Sequence, residues 1–397
     1  MRVAIVTIGN EILRGRTLNT NAHYLAQWVS SFGGEVCLMC TVPDVKERIH
    51  DALDQGYRCA QWVLCTGGLG PTTDDITREA IAEYFDLPLE YRQDVQAHVE
   101  EFLKHFDISF EAKHRTLCHV PQGAQVFYNR KGTAPAFLID KEDKVLVALP
   151  GVPIEMRHLV EDYLTPYVQA HYGYRPLPSE RILLAGVEES EVHRRLESLI
   201  VETARYIDWG FYPHYTTVEI QLRMQPDSTA DTAEVQERLR TLHSRIEELF
   251  GEDYVGRGDI SLGRAAGSYL KQLGWYAGAA ESCTGGYLSH MFTSDAGSSE
   301  YFKGAVISYA NAVKREVLGV PMGLLESEGA VSQAVVETMV RGALRVLDVE
   351  VAVAVHRLDC RGRSQGGAQP SLSLSLWALG EYRSHRYHGF GWLAQMV

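Results

Sequence analysis

Nowhere in the 397 residues is there a run of about 18 apolar residues, so nothing in the sequence reads as a membrane-spanning helix. The opening stretch reaches Asn10 and Glu11 too soon to form the apolar core of a signal peptide. Positive charge is in deficit, with 38 Lys and Arg against 51 Asp and Glu and a net charge of −13. Such a chain repels nucleic acid and anionic membrane in bulk. No basic patch offsets the repulsion, so neither is an expected partner. Cysteine is sparse. The seven present (Cys37, Cys40, Cys59, Cys65, Cys118, Cys283, Cys360) are odd in number and dispersed, which suits a reducing cytoplasm better than a disulfide framework. Cys37 and Cys40 are spaced as C-x-x-C, but no second pair or nearby His joins them. Two half-buried strand cysteines are expected there rather than a zinc or redox site. Hydrophobic residues at 45% and charged residues at 22% exclude disorder and collagen-like repeats, leaving a soluble acidic protein of two or three domains.

The first 170 residues alternate apolar strand-like runs with longer helical stretches. Strands are expected at Arg2–Ile8, Val36–Thr41, Trp62–Thr66 and Lys144–Leu149, with a helix over Thr20–Phe32. That alternation predicts a doubly wound parallel sheet with helices on both faces and ligands beyond the strands' carboxyl ends. Pro176 and Pro178 mark a change of composition. From Glu180 to about Val255 the order is strand, helix, two strands, helix, a small α+β module resembling a KH domain. It lacks the G-x-x-G clamp and is acidic, so a spacer or dimer contact is expected rather than RNA binding. From Asp259 a third α/β unit alternates helices and strands up to Val355. The expected domains are 1–172, 176–257 and 259–397. The fold class is α/β throughout, with a layered α/β/α C-terminal domain and an atypical tail.

One constellation stands out in the first domain. Thr66-Gly-Gly-Leu-Gly-Pro-Thr-Thr-Asp-Asp-Ile-Thr77 directly follows a strand. Gly67, Gly68 and Gly70 allow close backbone approach, while Thr72 and Thr73 can cap the next helix, whose free N–H groups favour phosphate. Asp74 and Asp75 would repel a bare phosphate, so a bridging divalent cation is the natural complement. Asn10 and Glu11 follow the first strand, Asp44 the second, and Pro150–Glu155 a later one. Each has a plain explanation, as turn former, N-cap or simple turn. Their shared placement after strands raises them together.

The third unit holds Ala280-Glu-Ser-Cys-Thr-Gly-Gly286 at a strand-to-helix turn. Ser282 could act as a nucleophile there, with the following N–H groups as an oxyanion hole and Lys314 as its base, beside Tyr309. From spacing alone, a capping serine and a solvated lysine explain the same residues.

Gly9–Gly15, Asn19-Thr-Asn21, Val42–Asp44, Thr66–Asp75, Gly132–Pro135 and Leu149–Met156 together resemble the CinA competence/damage-inducible family, and the resemblance continues into the third unit. It implies a molybdopterin-binding-type N-terminal domain that hydrolyses ADP-ribose to AMP and ribose 5-phosphate with a divalent metal (Mg, Mn or Co). It further implies a KH-type middle domain, a C-terminal nicotinamide mononucleotide amidohydrolase, and a homodimer. On this reading Asp44, Asp74 and Asp75 would hold metal and water. Gly67, Gly68, Gly70, Thr72 and Thr73 would hold phosphate, and Asn10, Glu11 and Glu155 would make further substrate contacts. Ser282, Tyr309 and Lys314 match the amidohydrolase motifs, as do Gly297–Ser299 and Gly329–Ser332.

The chain departs from the family at Lys113–His119, at Ala136, and above all after Val355. The family's Gly-Ile-Ala-Gly-Pro turn and its closing strand are replaced by Val355-His-Arg-Leu-Asp-Cys-Arg-Gly-Arg-Ser364 and a tail dense in His, Arg and Ser. We hypothesise a frame shift in the gene after Val355, which an independent gene read reproducing the present frame would remove. With that turn and strand missing, amidohydrolase activity is expected to be weak or absent. The competing readings are a fully bifunctional pyridine-nucleotide recycling enzyme and a protein that binds a pterin or nucleotide without turnover.

Overall fold

The computed structural model describes residues 1–214, 216–225, 232–357 and 372–378. The chain divides into two compact units, Met1–Leu177 and Pro178–Val397.

In the first unit the strands are β1 (Arg2–Ile8), β2 (Glu35–Val42), β3 (Trp62–Thr66), β4 (Leu89–Tyr91), β5 (His119–Pro121), β6 (Gln125–Phe127), β7 (Ala136–Lys141) and β8 (Lys144–Leu149). β4 and β5 pair with each other, and the other strands form one sheet in the order β2-β1-β3-β8-β7-β6. β2, β1, β3 and β8 are parallel, whereas β7 and β6 run antiparallel to their neighbours. The wholly parallel sheet expected from the sequence is therefore corrected to a mixed one. The cause is local. Only Glu142 and Asp143 separate the paired residues Lys141 and Lys144, and both have positive φ, 53° and 63°. Such a two-residue turn matches the strand twist and folds the chain straight back, where a parallel crossover needs a dozen residues or more.

Side chains along β1 feed two cores. Val3 and Ile5 pack with Leu25, Trp28 and Val29 of the helix Thr20–Ser31 and with Met156 and Leu159 of the helix Pro153–Leu159. Ala4, Val6 and Ile8 pack with Ile49 and Leu53 of the helix Lys46–Cys59 and with Ile81 of the helix Thr77–Tyr84. A strand buried on both faces favours apolar residues on both, which is why Val3–Val6 reads as a continuous apolar run; the buried Thr7 hydroxyl accepts from Asn19 Nδ2 at 3.0 Å. The carboxyl ends of β2, β1, β3 and β8 lie side by side, so the turns that follow them share one edge of the sheet.

The second unit opens with β9 (Ser179–Ala185), β10 (Ile207–Pro213), β11 (Thr217–Met224) and β12 (Tyr254–Arg257), an antiparallel sheet ordered β10-β11-β9-β12. β11 buries alternate residues (Val218, Ile220, Leu222, Met224), the period of a sheet covered on one face. The helices Glu189–Thr203 and Thr232–Phe250 bury Val192, Leu196, Val235, Leu239 and Ile246.

A further sheet contains β13 (Ala277–Glu281), β14 (Phe302–Ile307), β15 (Val351–Arg357) and β16 (Leu372–Ala378), ordered β14-β13-β15-β16. The first three are parallel and β16 runs antiparallel to β15, from Val351 opposite Ala378 to Arg357 opposite Leu372. This corrects the expectation that the tail lacks a closing strand. Its Leu-Ser-Leu-Ser-Leu alternation has the two-residue period of a strand, and pairing satisfies backbone groups that β15 would otherwise leave open. The replaced turn, residues 358–371 with Cys360 among them, lies outside the described residues. Among the described residues no helix is long and apolar enough to cross a membrane.

Candidate functional site

The turns at the edge of the first sheet are tied to one another. Gly9 N–H donates to the Val42 carbonyl (3.1 Å) and Gly67 N–H to the Leu149 carbonyl (3.0 Å). Both the backbone N–H and the side-chain amide of Asn10 donate to Asp44 Oδ2, at 3.1 and 2.8 Å. Asn21, nearly buried, donates to Thr66 Oγ1 (2.9 Å) and to the Gly151 carbonyl (2.8 Å), and so ties the glycine turn to the Pro150-Gly151 turn.

Gly67 and Gly68 are required sterically. At Gly67 (φ 109°) a Cβ would fall 2.0 Å from the Ile8 carbonyl oxygen, and at Gly68 (φ 66°) 2.1 Å from Thr77 Oγ1. At Gly70 it would fall 2.5 Å from Asp75 Oδ2. Thr77 is wholly buried beside Gly68 and its hydroxyl has no partner among the described residues. Beneath the loop, the buried Arg78 guanidinium donates to the Leu69 carbonyl at 2.8 Å.

Thr72 and Thr73 do not cap the following helix, which corrects the expectation. That helix starts at Thr77 with Ile76 at its N-cap, and Thr73 is exposed. The Thr72 hydroxyl instead lies 2.5 Å from Asp74 Oδ1 and 2.5 Å from Asp75 Oδ2, while its N–H donates to Asp75 Oδ2 at 3.0 Å. The Thr72 hydroxyl holds the exposed Asp74 carboxyl below the ordinary aspartate range. Burial pushes the Asp44 carboxyl up; the Asn10 N–H holds it back, and the Glu11 and Asp74 charges add to the rise.

Among the described residues, no group of three or more His, Cys, Asp and Glu side chains is placed to hold a metal ion. Asp44, Asp74 and Asp75 therefore do not form a ready-made metal centre. Each already has a polar partner, Asn10 for the first and Thr72 for the other two.

Glu155 lies in the first turn of the helix Pro153–Leu159. It accepts from Asn129 Nδ2 at 2.6 Å, and a Cβ at Gly132 would sit 2.2 Å from its carboxyl carbon. Burial pushes its carboxyl up, and the Asn129 bond partly offsets this. Asn129, fully buried, was missed by sequence reasoning, since no spacing rule connects it to Glu155.

In the second unit Ser282 directly follows β13, and its N–H donates to the Val355 carbonyl at 3.2 Å. Lys314, in the helix Asn311–Glu316, is only 2% exposed. Its Nζ lies 3.2 Å from Ser282 Oγ, 2.5 Å from the Ser308 carbonyl oxygen and 3.3 Å from the Tyr309 carbonyl oxygen. Burial holds this lysine below the ordinary lysine range. Nζ can donate to both carbonyls and to the serine hydroxyl, and on losing a proton it would keep two N–H groups for the carbonyls and turn a lone pair to the serine.

Tyr309 contributes its carbonyl to this cluster. The residue as a whole is 79% exposed. Sequence reasoning also missed Glu281, the wholly buried last residue of β13. Its carboxylate accepts from the N–H groups of Gly286 (3.0 Å), Leu288 (3.1 Å) and Ser289 (2.8 Å), and from the Ser289 hydroxyl. Burial pushes this carboxyl up, but those bonds outweigh it and leave it below the usual range. Glu281 thus fixes the turn that carries Ser282. A lone acid closing the strand Ala-Gly-Ala-Ala-Glu was the available signal.

Residues 4–170 match the family model described as a probable molybdopterin binding domain, and residues 260–356 match the CinA C-terminal domain. The second match ends one residue past Val355, where the sequence departs from the pattern. A putative competence-damage inducible protein from Symbiobacterium thermophilum is 35% identical, over 96% of this chain and 94% of its own length. Another from Caldicellulosiruptor saccharolyticus is 34% identical, over 89% of this chain and 85% of its own. A CinA-like protein from Salinibacter ruber is also 34% identical, with the same two shares.

Proposed function

The chain belongs to the CinA family, and from that premise we propose that it is a hydrolase acting on pyridine nucleotides, with its best-formed site at Ser282 and Lys314. The reaction is hydrolysis of the amide of nicotinamide mononucleotide to the acid and ammonia. The observation that carries it is the buried Lys314 amine, 3.2 Å from the Ser282 hydroxyl and held toward its neutral form.

The neutral amine takes the hydroxyl proton as Ser282 Oγ attacks the amide carbonyl carbon. The N–H groups of Cys283 and Thr284, next in the turn, receive the developing oxyanion. Lys314 returns its proton to the leaving nitrogen, ammonia departs, and an ester to Ser282 remains. Water then attacks the ester, losing a proton to Lys314, which passes it to the departing serine. The acid is released and the dyad is restored.

Impairment of this site was the expectation from a missing turn and a missing closing strand; β16 supplies a paired strand beside β15, and the replaced turn lies outside the described residues. The test is ammonia release from nicotinamide mononucleotide by the full chain beside Ser282→Ala. Release abolished by the substitution supports the reading, and a folded wild type without turnover sinks it.

A second reading for the first unit is hydrolysis of ADP-ribose to AMP and ribose 5-phosphate. It is favoured by the glycine loop over an unpartnered Thr77 hydroxyl and by the anionic Asp74 beside it. A bound divalent cation would supply charge neutralisation of the phosphates. Asp74, Asp75 and Asp44 are the candidates to meet it. AMP release with and without Mg, Mn or Co, compared with Asp75→Asn, tests this. Binding without AMP release under any of these ions would favour a nucleotide-binding role instead.

A further inference from the structure

Cys37 lies in β2 at a β-bulge. Val3 pairs with Val36 and Ala4 with Leu38, so Cys37 has no partner in the ladder. Bulges re-aim a side chain, and this one brings the Cys37 sulfur 2.6 Å from the sulfur of Cys59. Cys59 is the last residue of the helix Lys46–Cys59, which packs on the same core as β2. Both thiols are free and half-buried, within reach of small solutes. The C-x-x-C spacing is not what pairs them, because Cys40 lies past the bulge in regular register opposite Val6.

We propose that Cys37 and Cys59 are a modification site, a thiol pair that closes to an intrachain disulfide when a small-molecule disulfide is supplied. One thiolate attacks the oxidant's S–S bond, forming a mixed disulfide and expelling one small thiolate. The second cysteine attacks the mixed bond through its own sulfur and expels the other small thiolate. The two protons lost by the cysteines go to the two small thiols, so two protein thiols are oxidised and one external disulfide is reduced. Burial, with the Cys59 thiol beside it, pushes the Cys37 thiol up to about 11, so the pair rests as thiols until an oxidant arrives. The bond would staple together the ends of the segment that carries Asp44, the acceptor for Asn10 in the first unit's candidate site.

The experiment is incubation of the full chain with oxidised glutathione, then denaturing alkylation and peptide mass mapping. The expected result is a Cys37–Cys59 cross-linked peptide and two of the seven thiols lost, both reversed by dithiothreitol. Cys37→Ser should instead trap glutathione on Cys59. All seven thiols remaining alkylatable, or a bond joining other cysteines, overturns the proposal. Mapping on the wild-type chain keeps this decisive even where a serine variant folds poorly.

Discussion

The two candidate sites are built in opposite ways. In the first unit, glycines clear a space and carboxylates line it, so the charge there is negative and awaits a complement. In the second, a cation-forming side chain is buried against a nucleophile and two carbonyl oxygens, with burial itself favouring the neutral base. One site needs its ligand to become balanced; the other is arranged before any ligand arrives. Preorganisation of the second kind lowers the cost of reaction at the moment of chemistry.

The sharpest way to break that comparison is to remove the nucleophile. Ser282→Ala should lower ammonia release on the order of 10⁴-fold or more while AMP release from ADP-ribose is unchanged. A parallel fall in both activities would mean that the sites are not independent.

Lys314→Met should cost roughly 10³-fold in the amide reaction, within the range of a lost general base. Lys314→Arg should not restore it, because a guanidinium stays charged. In the wild type the base must be neutral, so kcat should fall as pH drops through the lowered lysine pKa. Stability should move the same way. Between the lowered pKa and the ordinary 10.5 the unfolded chain binds more protons, so stability rises with pH across that window. Below it both states are protonated and the full cost of the buried charge stands. Urea titrations at several pH values should lose this slope in Lys314→Met.

For the first unit, Asp75→Asn should reduce metal-dependent AMP release about 100-fold, while the amide reaction continues. Gly68→Ala combines positive φ with a Cβ 2.1 Å from Thr77 Oγ1. It should destabilise that unit by about 2 kcal/mol in denaturant unfolding and abolish AMP release. The smallest effect belongs to Tyr309→Phe. Tyr309, 79% exposed and meeting Lys314 through its backbone carbonyl, should change ammonia release less than about threefold on loss of its hydroxyl. A larger loss would show that the ring closes over substrate.

What was legible in the sequence follows from how each feature is made. The glycine turn leaves a composition signature because backbone approaches as close as Gly67 to Ile8 admit no Cβ. β1 was legible because it is buried on both faces. The β7–β8 hairpin was hidden, since its turn residues Glu142 and Asp143 are not the usual Asn-Gly pair that marks positive φ. Ser282 and Lys314 lie 32 residues apart, so only folding shows the lysine to be buried rather than solvated. Cys37 and Cys59 meet for a reason no linear spacing holds, a bulge opposite Val3 and Ala4. The tail misled because the family's strand was sought, while a Leu-Ser alternation of different sequence pairs antiparallel with β15.

The central claim, that the Ser282–Lys314 site is chemically competent despite the departure after Val355, is tested most directly by single-turnover detection of the acyl intermediate. Mixing the full chain with nicotinamide mononucleotide and quenching in acid should yield a peptide containing Ser282 esterified by the acyl group of nicotinate mononucleotide, together with one equivalent of ammonia. A folded protein that binds the nucleotide but forms neither the ester nor ammonia would contradict it.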